Sequence, residues 1–167
     1  RGLSVEFPLM MTMDDIPIDL PQEREPPHSA EAEQAVLAAL WVDNRAIGLV
    51  SDLVDSQSFW YDQHRLLWDA TQAIIQAGQP ADALTVHARL DSQGLSERAG
   101  GLRYVIEIST SAVAGVNVRR YAEIVAERYA ERELIRACAQ AVESSWQTGA
   151  KLGDRMDRIS ALLARAE

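Results

Sequence analysis

Pro26-Pro27-His28-Ser29-Ala30-Glu31-Ala32-Glu33-Gln34-Ala35-Val36-Leu37 is the stretch that decides how this chain folds. The prolines stop any helix that would precede them. Ser29 then supplies the hydroxyl of a helix N-cap. Glu31 and Glu33 fall in the first turn, where the positive end of the helix dipole favours acids. Ala32, Ala35, Val36, Ala39 and Leu40 follow at helical spacing and form an apolar stripe. A helix therefore starts here, runs to about Trp41, and has one face to bury.

Upstream the pattern is different. Residues 14–25 carry Asp14, Asp15, Asp19, Glu23 and Glu25, with Pro17 and Pro21 between them. An acidic, proline-broken segment of this kind cannot bury enough apolar surface to order itself, so residues 1–25 read as a disordered leader or tail. Met10, Met11 and Met13 look like alternative starts.

Downstream nearly everything reads as helix. Asp43-Asn44 turns the chain and caps a second helix carrying Ile47, Val50, Leu53 and Val54. Ser58-Phe59-Trp60-Tyr61-Asp62 is an aromatic turn. A third helix from about Gln63 to Gln76 places Leu66, Leu67, Ala70, Ile74 and Ala77 three and four residues apart, and Gly78 then Pro80 end it. Asp82 or Thr85 caps a fourth helix that Gly94 ends. Gly100-Gly101 opens a fifth with Leu102, Val105, Ile106 and Ile108. Thr110–Val118 reads as a loop. Strand signals are weak throughout.

The chain changes character at Asn117. Residues 118–147 hold one long helical pattern without Gly or Pro. Its apolar positions are Tyr121, Ile124, Val125, Leu134, Ile135, Cys138, Val142 and Trp146. Glu123, Glu127 and Glu131 form an acidic stripe, and Arg128, Arg132 and Arg136 a basic one beside it. Residues 148–153 break the helix. A final helix from Asp154 shows Met156, Ile159, Leu162 and Leu163 on one face. Two helices joined by a glycine-bearing break make a helical hairpin. A hairpin has only two layers, so its apolar faces should pack on another copy or fold back on the rest of the chain. The expected fold is all-α: a compact helical head over residues 26–116, then a long helical hairpin over 117–167.

Composition narrows the function. The chain has 167 residues, 47% of them hydrophobic, enough for one modest core. Its formal charge of −9 lacks the basic footprint that strong nucleic-acid binding needs. The single cysteine, Cys138, has no partner for an internal disulfide. No apolar run approaches the ~18 residues of a membrane span. A cytoplasmic protein fits these features.

Reactive chemistry is equally sparse. No Gly-x-x-x-x-Gly-Lys-Ser/Thr occurs, and Gly149-Ala150-Lys151-Leu152-Gly153 lacks the spacing and hydroxyl to cradle phosphate. His28, His64 and His87 are scattered without metal-ligand spacing. His64, at a helix start beside aromatic residues, reads as a structural hydrogen-bonding group. Asp14-Asp15 lies in a segment without fixed geometry. Trp41, Trp60, Trp68 and Trp146 lack interleaved basic residues and read as packing groups. The expectation is no catalytic residue, no cofactor-binding residue and no metal site.

Several segments together carry a resemblance. They are the opening Pro-Pro-x-Ser-x-Glu-Ala-Glu-Gln-Ala-Val-Leu, Phe59-Trp60 with His64-Arg65, Gly78-Gln79-Pro80-Ala81-Asp82-Ala83-Leu84-Thr85, Gly100-Gly101-Leu102-Arg103-Tyr104, Asn117-Val118-Arg119-Arg120-Tyr121-Ala122-Glu123-Ile124-Val125, and Arg132-Glu133-Leu134-Ile135. In this order and spacing, residues 26–167 resemble the N-terminal domain of DnaB-type replicative DNA helicases. Val113-Ala114-Gly115-Val116 departs from the family's usual Pro-x-Ala-Ala, so that loop is expected to take another path.

The resemblance implies an oligomerisation domain whose hairpins pair into dimers. Three such dimers would form a collar on a hexameric motor. It implies docking of the C-terminal region of DnaG-type primase, in a bacterial or phage replisome. ATP and magnesium would belong to a RecA-like motor in the same polypeptide, beyond the family's linker near Ala166-Glu167. Whether this chain is an enzyme is therefore a question about its parent. By position, the resemblance assigns Glu31, Tyr104 and Ile135 to the primase-facing surface. Tyr121, Val125, Ile135, Cys138, Val142, Ile159, Leu162 and Leu163 are the expected self-association residues. The charge stripes suggest an antiparallel partner helix, with acids of one copy meeting arginines of the other. A motor-less regulator that binds helicase, primase or loader fits the same residues.

Overall fold

A computed structural model describes residues 24–111, 117–146 and 151–164. Within them the chain is all helix: α1 Ala30–Val42, α2 Ile47–Val50, α3 Asp62–Gln76, α4 Ala83–Ser92, α5 Gly101–Thr110, α6 Val118–Trp146 and α7 Leu152–Ala164, with 3-10 turns at Asn44–Ala46 and Ser56–Ser58. The expected leader up to residue 23, the departing loop 113–116, the end of the expected long helix with the first half of the break at 147–150, and the end at 166–167 lie outside the described residues.

The caps follow from the local sequence. The Ser29 hydroxyl accepts from Ala32 N at 3.2 Å and starts α1. Asp82 accepts from Thr85 N while the Thr85 hydroxyl accepts from Asp82 N, a reciprocal capping box that starts α4. The expected second helix is shorter than its pattern. Only Ile47–Val50 is α-helical, and Leu53 and Val54 belong to the turns behind it. Asn44 explains the sharp bend: its amide nitrogen donates to Leu40 O and Ala81 O, and its Oδ1 accepts from Ala81 N. The bend is thereby stitched to the entry of α4.

α1 runs through the centre of the head. It packs against α3, α5 and the first half of α6, and α4 lies against α3 and α5. The core gathers Val36, Leu37, Leu40, Phe59, Leu67, Trp68, Val86, Leu90, Val105, Ile108, Ala122 and Val125. Trp41 is buried with its indole nitrogen donating to Thr71 Oγ1 at 2.9 Å, and Thr71 donates onward to Leu67 O. A buried tryptophan is retained at low cost when its N–H finds such a partner.

The long helix divides at Arg132. Before it, Val118, Ala122 and Val125 are buried against the head, and Arg119 ties the first turn to Leu49 O and Asp52. After it, α6 leaves the head and packs with α7. The hairpin therefore uses both of the arrangements open to it, folding back on the head over its first half and standing free over the rest.

Candidate functional site

The motif residues that are scattered along the sequence converge on one buried polar network at the N-terminal end of α1. Glu33 is 1% exposed. Its Oε1 accepts from Trp60 N at 2.8 Å, and its Oε2 accepts from Tyr61 N at 3.5 Å and meets His64 Nδ1 at 2.6 Å. His64 is fully buried, and its Nε2 lies 2.7 Å from the Tyr104 hydroxyl. Gln34 donates to the same hydroxyl oxygen at 3.0 Å. One assignment of protons satisfies every partner: Gln34 N–H to Tyr104 O, Tyr104 O–H to His64 Nε2, and His64 Nδ1–H to Glu33. The His64 and Tyr104 rings also stack, with planes 4° apart. α1, α3 and α5 are tied together by this chain.

Local backbone positions it. α5 begins at a left-handed Gly100 with φ of 94°, and a Cβ there would stand 2.6 Å from the Tyr104 ring. Only glycine lets that ring lie back over the helix start. The reading of His64 as a structural group holds. Acid, imidazole and hydroxyl are ordered as in a catalytic triad, but the imidazole is sealed from solvent. What the geometry does is hold helices.

A second layer surrounds the network. Arg132 is 6% exposed and donates to Pro27 O at 2.8 Å and Ser58 O at 2.7 Å. Its guanidinium sits 5.5 Å from the Trp60 ring centroid and 5.6 Å from that of Tyr129. Burial pushes its pKa down, Glu33 opposes this, and Arg65 and Arg136 add to it. His28 stacks on Trp60 and meets Tyr61 edge-on. Desolvation raises the Tyr61 phenol above its ordinary value, and the charges of Glu25, Glu33 and Glu31 raise it further.

The expected interface residues are dispersed by the fold. Glu31 is exposed on the first turn of α1, and Tyr104 is half-buried with its hydroxyl engaged inside; both act on Tyr61 and share that end of the head. Ile135 is 54% exposed on α6, one turn beyond Arg132. Of the expected self-association residues, Val125 is 1% exposed and belongs to the head core, and Tyr121 is half-buried against it. The first half of α6 is already covered by α1 and α2, so the structure moves Val125 out of that set. Cys138, Val142 and Leu163 are exposed, and Ile159 and Leu162 are half-buried on α7.

Apolar side chains meet solvent along an edge of the free half of the hairpin. Ile135, Cys138, Val142 and Trp146 recur at helical spacing on α6, and Leu152, Met156 and Leu163 are exposed on α7. The Arg155 guanidinium donates to Ser145 O and ties the two helices. Within the single chain the charge stripes are partly engaged. Arg128 pairs with Glu131 and Arg136 with Glu133 on their own helix, while Arg132 points into the head. Such pairs one turn apart are the usual local partners on a helix surface. Sequence reading missed the role of Arg132. Its one signal was a basic stripe crossing the buried side of a helix whose preceding turns pack on the head.

Among the described residues no group of His, Cys, Asp and Glu could hold a metal ion, and no helix is long and apolar enough to cross a membrane. A family model described as the DnaB-like helicase N-terminal domain matches residues 25–127. Replicative DNA helicase DnaC of Bacillus subtilis is 32% identical over 149 residues, covering 89% of this chain and 31% of that protein. Replicative DNA helicase DnaB of Mycobacterium leprae is 34% identical over 151 residues, covering 89% of this chain and 25% of that protein. The chain thus spans less than a third of the length of these curated relatives. The crystal structure of the N-terminal domain of DnaB helicase from Mycobacterium tuberculosis superposes with a TM-score of 0.79 at 32% identity, over 84% of this chain and 99% of that one. A DnaB-like replicative helicase, solved in a study of its interactions with primase, shares the fold at a TM-score of 0.68 and 20% identity, over 83% of this chain and 32% of that one.

Proposed function

The chain belongs to the DnaB-like helicase N-terminal domain family, and from that premise we propose that it serves as the self-association and primase-docking part of a bacterial replicative helicase. The observation that carries the reading is the apolar edge on the free half of the hairpin. Ile135 and Trp146 are 54% and 56% exposed within it. Apolar surface left open along a two-helix unit is a common mark of a protein–protein interface. A second copy of the hairpin would cover it, with Ile135, Cys138, Val142, Ile159, Leu162 and Leu163 at the contact.

Primase would dock where Glu31 and the rim of Tyr104 meet solvent, with Ile135 at the base of the hairpin. Nucleotide binding and strand separation would reside in a motor domain joined to this one, as the resemblance implies, and the reaction would take place in the cytoplasm.

Light-scattering mass after gel filtration tests the reading, for this chain alone and mixed with the C-terminal region of the host's primase. A dimer or larger assembly that co-elutes with primase is the expected result. A monomer that ignores primase would overturn it.

A further inference from the structure

We propose that Arg132 and the arm formed by residues 24–29 make a releasable clasp that sets the bearing of the hairpin on the head. Arg132 occupies the point where α6 leaves the head. Its neighbours upstream on the buried side are core residues, and beyond it Ala137 is the next buried position of α6. Whatever holds Arg132 therefore fixes the direction of everything after it.

Its partners are unusual for a buried guanidinium. Both are main-chain carbonyls, Pro27 O on the arm and Ser58 O at the end of the 3-10 turn. Among the described residues no carboxylate pairs with it. A desolvated charge with so few acceptors depends on each of them. When the arm lifts, one side of the fork loses its acceptor and opens to water, while the bond to Ser58 O stays buried. The seat of α6 on the Trp60 ring then loses one of its two holds.

The arm is held at few points. Arg24 and Glu25 are exposed. Ahead of Ser29, which is fixed as the cap of α1, its grip consists of the Pro27 carbonyl on Arg132 and the His28 ring, stacked 5.7 Å from Trp60 and edge-on at 5.4 Å from Tyr61. Trp60 also carries the Arg132 guanidinium, so arm and hairpin share one ring. The His28 side chain is 17% exposed, so the hold of the arm is concentrated at this ring, and a short segment ahead of the first helix opens before the core does. Docking of the arm and the bearing of the hairpin are then coupled, and the coupling is reciprocal. Anything that engages the chain just upstream of Pro26 acts on the hairpin without touching it. The proposal is independent of which partner covers the hairpin.

Hydrogen exchange on the whole chain tests it, with His28→Ala, Arg132→Met and the double variant. Each single variant should speed exchange about threefold or more in both segments, 24–30 and 133–146, with α3 unchanged. The double variant should exchange no more than about twofold faster than the faster single one, since both remove the same coupling. Arg132→Lys should fall between, because one ammonium cannot fork to both carbonyls. A His28→Ala chain whose hairpin exchanges like the parent overturns the proposal. So does an Arg132→Met chain that loosens the hairpin and leaves the arm protected. If Arg132→Met does not fold, His28→Ala and Arg132→Lys carry the same decision.

Discussion

α3 and α7 carry the same kind of pattern and meet opposite fates. α3 spaces Leu67, Ala70, Thr71 and Ile74 along one face and buries them together with His64 and Trp68. α7 spaces Met156, Ile159, Leu162 and Leu163 along one face and buries none of its residues. The periodicity is equally clear in both. What differs is the supply of covering layers. α3 has α1 on one side and α4 on another, whereas among the described residues α7 packs chiefly on α6. Hydrophobic spacing tells which face a helix must bury and leaves open what will bury it.

The sharpest way to break this contrast is to empty the head of its central acceptor. Glu33→Leu keeps the volume and deprives Trp60 N, Tyr61 N and His64 Nδ1 of their common partner. Removing one member of a buried charged network costs about 3–5 kcal/mol. Thermal and denaturant unfolding should show a loss of that size. A loss under about 1 kcal/mol would mean that the network is slack and the head is held by its apolar core alone.

Tyr104→Phe probes the same network more gently. The stacked ring stays, and only the hydroxyl between Gln34 and His64 goes. Leaving His64 Nε2 buried without its donor should cost about 1–3 kcal/mol in denaturant unfolding. The variant also separates the two roles of this position. Weakened primase binding with little loss of stability would place Tyr104 at the docking surface first and in the head second.

On the hairpin the expected effect on the single chain is smaller still. Ile135→Ser and Val142→Ser remove exposed methyl groups, so unfolding of the monomer should change by no more than about 0.5 kcal/mol. Solution mass should change instead, falling toward the monomer if these side chains meet a second copy. An unchanged assembly in both variants would move the contact to another face.

Much of the fold was legible because its signals are local. Ser29, Asp82 and Gly100 mark helix starts that the structure keeps, and the junction near Asn117 lies at the start of α6 as expected. The short α2 was not legible, since the bend depends on Asn44 reaching Ala81 from 37 residues away. The polar network was visible only in pieces. Glu33 reads as a first-turn acid, His64 as a helix-start histidine and Tyr104 as a core or surface aromatic. Nothing in spacing alone says that they touch. Arg132 was misread for the same reason, because a stripe of like charges does not reveal which member turns inward.

The smallest expected effect concerns a cap on the head and is a matter of pH. The Asp82 carboxyl is held below its ordinary range, first by the Thr85 main-chain N–H and also by the Thr85 hydroxyl, with burial opposing. A carboxylate favoured in the folded state adds stability above its unfolded pKa and gives it up as pH falls through the folded value. The contribution of this cap is therefore complete at neutral pH and fades on acidification below the usual carboxylate range. Asp82→Asn keeps an acceptor for the Thr85 N–H and removes the titration. At neutral pH the parent should melt slightly higher than the variant, and the gap should close in acid. The cap is exposed and screened, so the gap is small, but its pH dependence belongs to α4 alone. The Ile135→Ser and Val142→Ser variants should show no such closing gap. A gap that stays constant with pH would mean that Asp82 caps α4 by shape rather than by charge.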